Sequence, residues 1–328
     1  MSDTFKALVL RQEERKTVAA IEHLTNDDLP EGEVLVAIKH SSLNYKDGLA
    51  ITGTGKIVRN FPHVPGIDLA GEVLECEGGT FKPGDAVVLT GWGVGERHWG
   101  GYAQRARLKA KWLTPLPDGF STARAMAVGT AGFTAMLCVM ALEESGLTPE
   151  AGPILVTGAA GGVGSVAVSL LAEAGFEVHA GSGRAELEPY LKELGAKEIV
   201  PRADLSRESR PLESEIWAGA VDTVGSQTLA TLLSQMKYNG AVAACGLAGG
   251  MDLPTTVFPF ILRNVRLQGI DSVYCPPSRR REAWQQLAKR LPLDLLDSLT
   301  THISLEQATD AAQKIIDGNI QGRVVVDI

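Results

Sequence analysis

Apolar residues fall into two rhythms along this chain. Up to about residue 107 they come in short runs broken by polar turns, which predicts strands over 6–10, 33–39, 66–74 and 102–107, and a turn followed by a strand over 81–89. Pro115 and Pro117-Asp118-Gly119 punctuate the end of this β-rich region. Residues 121–144 are helix-compatible, with Met126, Phe133, Leu137 and Met140 near helical spacing. Gly129, Thr130 and Gly132 interrupt the run, so two helices are expected. The rhythm then changes. Strands are predicted over 155–157, 176–180, 198–200, 217–224, 240–246 and 265–270, and helices over 163–174, 187–194 and 229–236. Repeated βα units of this length predict a parallel sheet with helices on both faces. The tail predicts helices over 279–289 and 305–316, then a closing strand over 322–328 that rejoins the first sheet.

The fold class is therefore α/β, a Rossmann-type doubly wound parallel sheet plus a barrel-like, β-rich domain. The expected division is 1–124 for the catalytic domain, 125–273 for the nucleotide-binding domain and 274–328 for a return to the first. A chain of 328 residues, 45% of them hydrophobic, is long enough for two cores. A formal net charge of -8 argues against a nucleic-acid partner. The four cysteines are scattered without ligand spacing, which points to a reducing, cytoplasmic setting. The first residues do not read as a signal peptide. No unbroken apolar stretch approaches about 18 residues, so no membrane partner is expected.

The segment Ile154-Leu-Val-Thr-Gly-Ala-Ala-Gly-Gly-Val-Gly164 carries the first chemistry. An apolar strand runs into glycines and then a helix, the layout of a dinucleotide-binding turn. Gly158, Gly161, Gly162, Val163 and Gly164 bring the backbone close to a pyrophosphate and aim N–H groups at it. An enzyme selecting NAD places an acid at the end of the second strand, for the ribose 2′-hydroxyl. This chain has Ala180-Gly-Ser-Gly-Arg184 there. Ser182 and Arg184, with Gly183 between them, suit a 2′-phosphate instead, and Arg202 after the third strand is placed to join them. NADPH is the expected cofactor.

The reacting half is read from Ser41-Ser-Leu-Asn-Tyr-Lys-Asp47, taken as a loop after a strand. Tyr45, Asn44 and Asp47 are the candidate catalytic residues, since a phenol donates a proton or supports a developing enolate. The competing reading is a capped turn held by Asn44 and Asp47. The glycine-rich segment 90–102, with Trp92 and Trp99, is either an aromatic wall over a substrate or a loop pinned to the barrel. Lys56, Arg59, Arg263 and Arg266 are candidates for substrate phosphates. The six histidines show no ligand spacing, and no metal is expected.

These motifs resemble the zinc-free, quinone-oxidoreductase-like medium-chain dehydrogenases/reductases, and more closely the bacterial NADPH-dependent acryloyl-CoA reductases. The resemblance runs through Ser42-Leu-Asn-Tyr-Lys-Asp47, Pro65-Gly-Ile-Asp68, 89–96, Gly129-Thr-Ala-Gly-Phe-Thr-Ala-Met136, 157–164, 244–250 and 259–269. Zinc-bearing members carry Gly-His-Glu where this chain has Gly66-Ile67-Asp68. The resemblance implies a GroES-like first domain and reduction of acryloyl-CoA to propanoyl-CoA by NADPH. It also implies cofactor contacts at Tyr45, 161–164, Ser182, Arg184, Arg202, Leu247, Ile261, Ser272 and Asn319. Quinone or general enone reduction is the first alternative, and a non-enzymatic NADPH-binding protein the second. A homodimer is expected through an exposed edge strand over 265–270.

Overall fold

A computed structural model describes residues 4–328 and divides into two compact units. One unit holds the described chain up to Thr130 with Ser272–Ala288 and Leu293–Ile328; the other holds Ala131–Asp271 and Lys289–Pro292. The chain therefore leaves the first unit six residues beyond the expected boundary at 124. The reason is local, because the backbone N–H of Thr130 is tied to Asp68 of the first unit at 2.8 Å.

The chain opens with an antiparallel hairpin of β1 (Phe5–Glu13) and β2 (Lys16–Leu24). Next come β3 (Val34–Ser42), α1 (Tyr45–Thr52), β4 (Asp68–Cys76), β5 (Ala86–Thr90), β6 (Arg105–Leu108) and β7 (Thr114–Pro115). Val34, Val36 and Ile38 of β3 share one core with Leu69, Val73, Val87 and Leu89, and Leu35 on the opposite face is buried as well. α2 (Thr122–Glu144) is long and apolar enough to cross a membrane, yet 94% of its most apolar window is buried in protein. Gly129 breaks its helical backbone at φ 53°, ψ -161°, where the sequence predicts two helices.

The second unit follows as β8 (Ile154–Val156), α3 (Gly162–Glu173), β9 (Val178–Ser182), α4 (Glu188–Glu193), β10 (Glu198–Pro201), α5 (Arg202–Leu205), β11 (Trp217–Asp222), α6 (Ser226–Ser234), β12 (Met236–Ala244), α7 (Phe258–Arg263) and β13 (Arg266–Gly269). Its strands are all parallel in the order β10-β9-β8-β11-β12-β13. The order reverses between β8 and β11, and ligands of open α/β sheets sit outside the strand ends at such a point. Leu155, Trp217, Leu229, Leu232, Leu233, Met236 and Val242 form a core on this sheet. The indole N–H of Trp217 donates to Gln235 Oε1 at 3.0 Å.

The tail supplies α8 (Pro277–Arg290), α9 (Leu293–Ser298), β14 (Thr300–Ser304), α10 (Ala308–Ile316) and β15 (Arg323–Asp327). As expected, β15 rejoins the first sheet, antiparallel to β3, and β14 lies parallel beyond it. The order is β14-β15-β3-β4-β5-β7, with β6 also on β3. The sequence pattern does not predict β2, β7, β14, α1, α5, α7 or α9.

Candidate functional site

In the second unit, β8 ends at Val156 and the next residues carry the glycine-rich turn. Gly158 has φ +58°, a conformation that L side chains avoid. A Cβ on Gly164 would stand 2.3 Å from the Gly158 carbonyl, so only glycine lets α3 start this close to the strand. Gly161 is the N-cap of α3, and Gly162, Val163 and Gly164 form its first turn. The Gly162, Val163 and Gly164 N–H groups have no partner within the helix and, with the helix dipole, make this end attractive to an anion; the Gly161 N–H is taken by the Gly158 carbonyl at 2.9 Å.

Across the order reversal, the loop after β11 is locked to the loop after β8. Thr157 Oγ1 donates to Asp222 Oδ1 at 2.7 Å, and Thr223 Oγ1 donates to the Thr157 carbonyl at 2.9 Å. Asp222 Oδ2 accepts the Gly225 N–H at 2.8 Å. Burial raises the Asp222 carboxyl above its ordinary range. This carboxylate braces two loops. A Cβ on Gly246 would meet the Thr223 carbonyl at 2.2 Å, so the loop after β12 also packs here. Leu247 and Ile261 stand 65% and 68% exposed on this unit. The Cys245 thiol donates to the Asp222 carbonyl at 3.5 Å. A hydrogen bond with the Cys245 thiol, then burial, pushes the Cys138 thiol well above the usual cysteine range.

The phosphate-selecting candidates converge at the ends of β9 and β10, where Pro201 lies in register with Ser182. The Arg184 N–H donates to Ser182 Oγ at 3.2 Å. A Cβ on Gly183 would fall 2.6 Å from Arg202 Nε and 2.7 Å from its Cζ. The guanidinium of Arg202 thus lies over the bare Cα of Gly183, and the sheet brings together residues 19 apart in sequence. Arg263, allowed by the sequence as a contact for substrate phosphates, is instead tied into its own unit, while the exposed Arg266 has one anchored nitrogen. Arg263 Nη1 donates to the Ser234 and Met236 carbonyls at 2.8 and 3.1 Å, and Arg266 Nη1 donates to the Ser145 carbonyl at 2.6 Å.

In the barrel unit, the segment read as a loop is the end of β3 and the start of α1. Asn44 is the N-cap and Tyr45 the first helical residue. The Asn44 N–H donates to Asp47 Oδ2 at 2.9 Å, and the Ile67 N–H donates to Asp47 Oδ1 at 2.9 Å. The capped-turn reading is thus correct for Asn44 and Asp47, and the capped element is a helix because Asp47 satisfies its first orphan donor. Asp47 is wholly buried, Asn44 9% exposed and Tyr45 56% exposed. Of the three, only Tyr45 is exposed. Burial first, then the charge of Asp68, raises the Asp47 carboxyl to about 7.

Asp68, which the sequence does not single out as a site residue, is the hydrogen-bond hub of this region. Asp68 Oδ2 accepts from Ser42 Oγ at 2.6 Å, from Asn44 Nδ2 at 2.9 Å and from the Thr130 N–H at 2.8 Å. Tyr102 is fully buried and donates to the Ser42 carbonyl at 3.1 Å. Arg280 was missed too, because Arg279-Arg280-Arg281 reads as a solvated run. It is 1% exposed, donates to the Thr90 carbonyl at 2.6 Å and to the Ser272 carbonyl at 2.9 Å, and lies 5.3 Å from the Trp92 ring. Trp99 Nε1 donates to the Pro62 carbonyl at 3.2 Å. Both tryptophans therefore pin the glycine-rich segment to the barrel. Ser272 and the exposed Asn319 belong to this unit, as does Tyr45. Among the described residues no group of three His, Cys, Asp or Glu side chains is arranged to hold a metal ion.

A GroES-like barrel unit and a Rossmann unit in one chain define a medium-chain dehydrogenase/reductase. Residues 30–118 match the alcohol dehydrogenase GroES-like domain, and residues 162–291 match the zinc-binding dehydrogenase domain. The chain is 57% identical over 323 residues to the probable acrylyl-CoA reductase AcuI of Escherichia coli K12, covering 98% of this chain and 99% of that one. It is 56% identical over 327 residues to the acrylyl-CoA reductase AcuI of Ruegeria pomeroyi, covering 99% of each. The yhdH oxidoreductase of Salmonella enterica, solved in complex with NADP, superposes with a TM-score of 0.97 at 57% identity, covering 98% of this chain and 99% of that one. The chain belongs to the quinone-oxidoreductase-like branch of the medium-chain dehydrogenases/reductases, together with the acrylyl-CoA reductases.

Proposed function

We propose that this protein reduces the activated C=C bond of acryloyl-CoA to propanoyl-CoA with NADPH. Near-full-length likeness to acrylyl-CoA reductases supports the substrate. The observation that carries the cofactor is the guanidinium of Arg202 over Gly183, beside Ser182 and Arg184, with no acid in that turn. The residues fit the group. The α3 N-terminus (Gly161, Gly162, Val163 and Gly164) would hold the pyrophosphate, and Ser182, Arg184 and Arg202 the 2′-phosphate. Leu247, Ile261, Ser272, Asn319 and Tyr45 are assigned the remaining contacts.

When bound, NADPH supplies the hydride that adds to the β-carbon. The thioester carbonyl of the substrate takes up the enolate charge, and a hydrogen-bond donor at that oxygen lowers the barrier. Tyr45 is assigned the orientation of substrate or nicotinamide. Asn44 and Asp47 hold the helix start that bears it. The α-carbon takes its proton from the Tyr45 hydroxyl or from water, and Tyr45→Phe separates the two. The protein is further proposed to act as a homodimer through the edge strand β13, in a cytoplasmic setting that suits four free cysteines.

NADPH oxidation is followed with acryloyl-CoA, crotonyl-CoA and a simple quinone in parallel. The expected result is the highest kcat/KM with acryloyl-CoA, because binding energy from the remote CoA moiety raises turnover. A clear preference for the quinone would overturn the substrate. Tight NADPH binding with no hydride transfer to any of the three would mean a binding protein instead.

A further inference from the structure

Asp68 opens β4 and is wholly buried. Its Oδ2 receives donors from Ser42, Asn44 and Thr130, and its Oδ1 receives the Thr130 hydroxyl at 2.5 Å. Its carbonyl accepts Ser41 Oγ at 2.6 Å. These partners come from the end of β3, the N-cap of α1 and the break in α2. A buried carboxylate costs several kcal/mol unless it is saturated with donors, as this one is. Simple space-filling between three elements needs no charge. A saturated carboxylate fixes the direction of each group that points at it.

The group with the most at stake is Asn44. Its backbone N–H is held by Asp47, and its side-chain amide donates to Asp68 at 2.9 Å and to Ser42 Oγ at 2.9 Å. Tyr45 follows at once and is the exposed member of the trio. With Asn44 clamped on both sides, the Cα of Tyr45 has no freedom to shift, and only its side-chain torsions remain.

We propose that Asp68 is the positioning residue of the reducing site: by gripping the Asn44 amide it fixes the helix start from which Tyr45 projects. This rests on the assignment of Tyr45 to the reaction. In Asp68→Asn the N–H₂ group takes the place of Oδ1 against the Thr130 hydroxyl, and the Asn44 amide is left with a neutral carbonyl acceptor in place of a charged one, a weaker grip.

The test uses the full chain with NADPH and acryloyl-CoA. For Asp68→Asn, kcat falls about tenfold to a hundredfold, the scale set by a small misplacement of a reacting group. The ratio of NADPH to NADH affinity stays unchanged, because Ser182, Arg184 and Arg202 are not touched. Thr130→Val removes a donor from Asp68 but leaves the Asn44 grip, so Tm drops while kcat holds. In Asn44→Ala the amide that Asp68 grips is gone while Asp68 keeps its donors from Ser42 and Thr130, so kcat falls to the level of Asp68→Asn. If Asp68→Asn fails to fold, Asn44→Ala carries the test alone: a tenfold or greater loss of kcat supports the proposal, and a folded protein with wild-type kcat overturns it. Asp68→Asn with lowered Tm and wild-type kcat also overturns it, as does an equal kcat loss in Thr130→Val. Tyr45→Phe and Tyr45→Ala with wild-type kcat would remove the role of Tyr45 itself, which is a separate failure.

Discussion

At Gly183 the absence of a methyl is what lets Arg202 approach, and the proposed preference for NADPH rests on that approach. A Cβ there meets the guanidinium of Arg202, the far end of an exposed, flexible side chain. In Gly183→Ala the guanidinium swings aside and the fold survives. We expect an unchanged Tm, a several-fold weaker NADPH Kd and little change for NADH. Arg184→Ala goes further, because a charge-assisted bond to phosphate contributes about 1.5–3 kcal/mol, or roughly ten- to a hundredfold. Equal losses for NADPH and NADH would show that neither residue reads the phosphate. The sequence places Ser182 and Arg184 together at a strand end and Arg202 after the next strand, and the β10–β9 register is what puts Arg202 beside them. The proposed role of Asp68 was not legible. Its side-chain donors lie 24 to 62 residues away in the chain, and no local pattern announces them.

Asp47 gives the residue scale a pH dependence. Its folded value of about 7 lies above the ordinary 3.8, so between these values the folded protein binds a proton that the unfolded chain has lost. The stability this proton contributes is present in full below about 4 and is lost as pH rises through about 7. The groups around it are Asp68, which opposes ionisation, and the Asn44 and Ile67 N–H groups, which favour it. The charges of Asp47 and Asp68, after burial, raise the Tyr102 phenol further still. Asp47→Asn cannot ionise. Its unfolding free energy, measured by denaturant titration against wild type, is therefore expected to improve relatively as pH goes from 4 to 7, by on the order of a few kcal/mol. A flat difference across that range would mean that Asp47 stays ionised throughout.

At the scale of elements, the long apolar elements were read correctly and the short or mixed ones were not. The central strands β8, β9 and β11 of the nucleotide unit announce themselves because both sheet faces are covered there and these strands are almost wholly buried, whereas its short helices α5 and α7 do not. β2 was missed since its residues alternate between half-buried and exposed along Lys16–Leu24. α1 was read as a loop since it has eight residues, one of them Gly48. Gly48 is there for packing, as a Cβ would fall 2.7 Å from Ile315 Cγ2 and 3.1 Å from the Ala312 carbonyl of α10. The break in α2 was legible because Gly129-Thr130-Ala131-Gly132 interrupts an apolar run. What the sequence did not disclose is how that break is held. A Cβ on Gly129 would stand 2.7 Å from Asp68 Oδ2 and 2.9 Å from Arg323 Nη2, at a φ of +53°. Gly129→Ala therefore combines a disfavoured backbone with a collision against a fixed carboxylate. A loss of more than about 1 kcal/mol is expected, read as a lower denaturation midpoint. A neutral result would show that the network around Asp68 yields easily.

For the whole molecule, the open question of assembly centres on one edge. β13 pairs with β12 on one side and has no strand beyond it in the sheet order. A bare edge invites pairing with another chain unless it is covered. Close to it in sequence, Met251, Val257, Phe258 and Leu262 are 90%, 62%, 44% and 55% exposed. So much exposed apolar surface in one short stretch is uncommon for a protein that stays alone. A second copy of the same chain is the occupant proposed, because a two-fold axis lets one strand edge cover its own mate with a single self-complementary patch. Light scattering at micromolar concentration should then give twice the 34.8 kDa of one chain. Leu262→Glu places a charge in the apolar part of the patch and should shift the mass toward one chain, leaving a folded protein that still binds NADPH. If wild type runs as a single chain at that concentration, or if Leu262→Glu leaves the dimer intact, the edge of β13 is covered by something other than its twin.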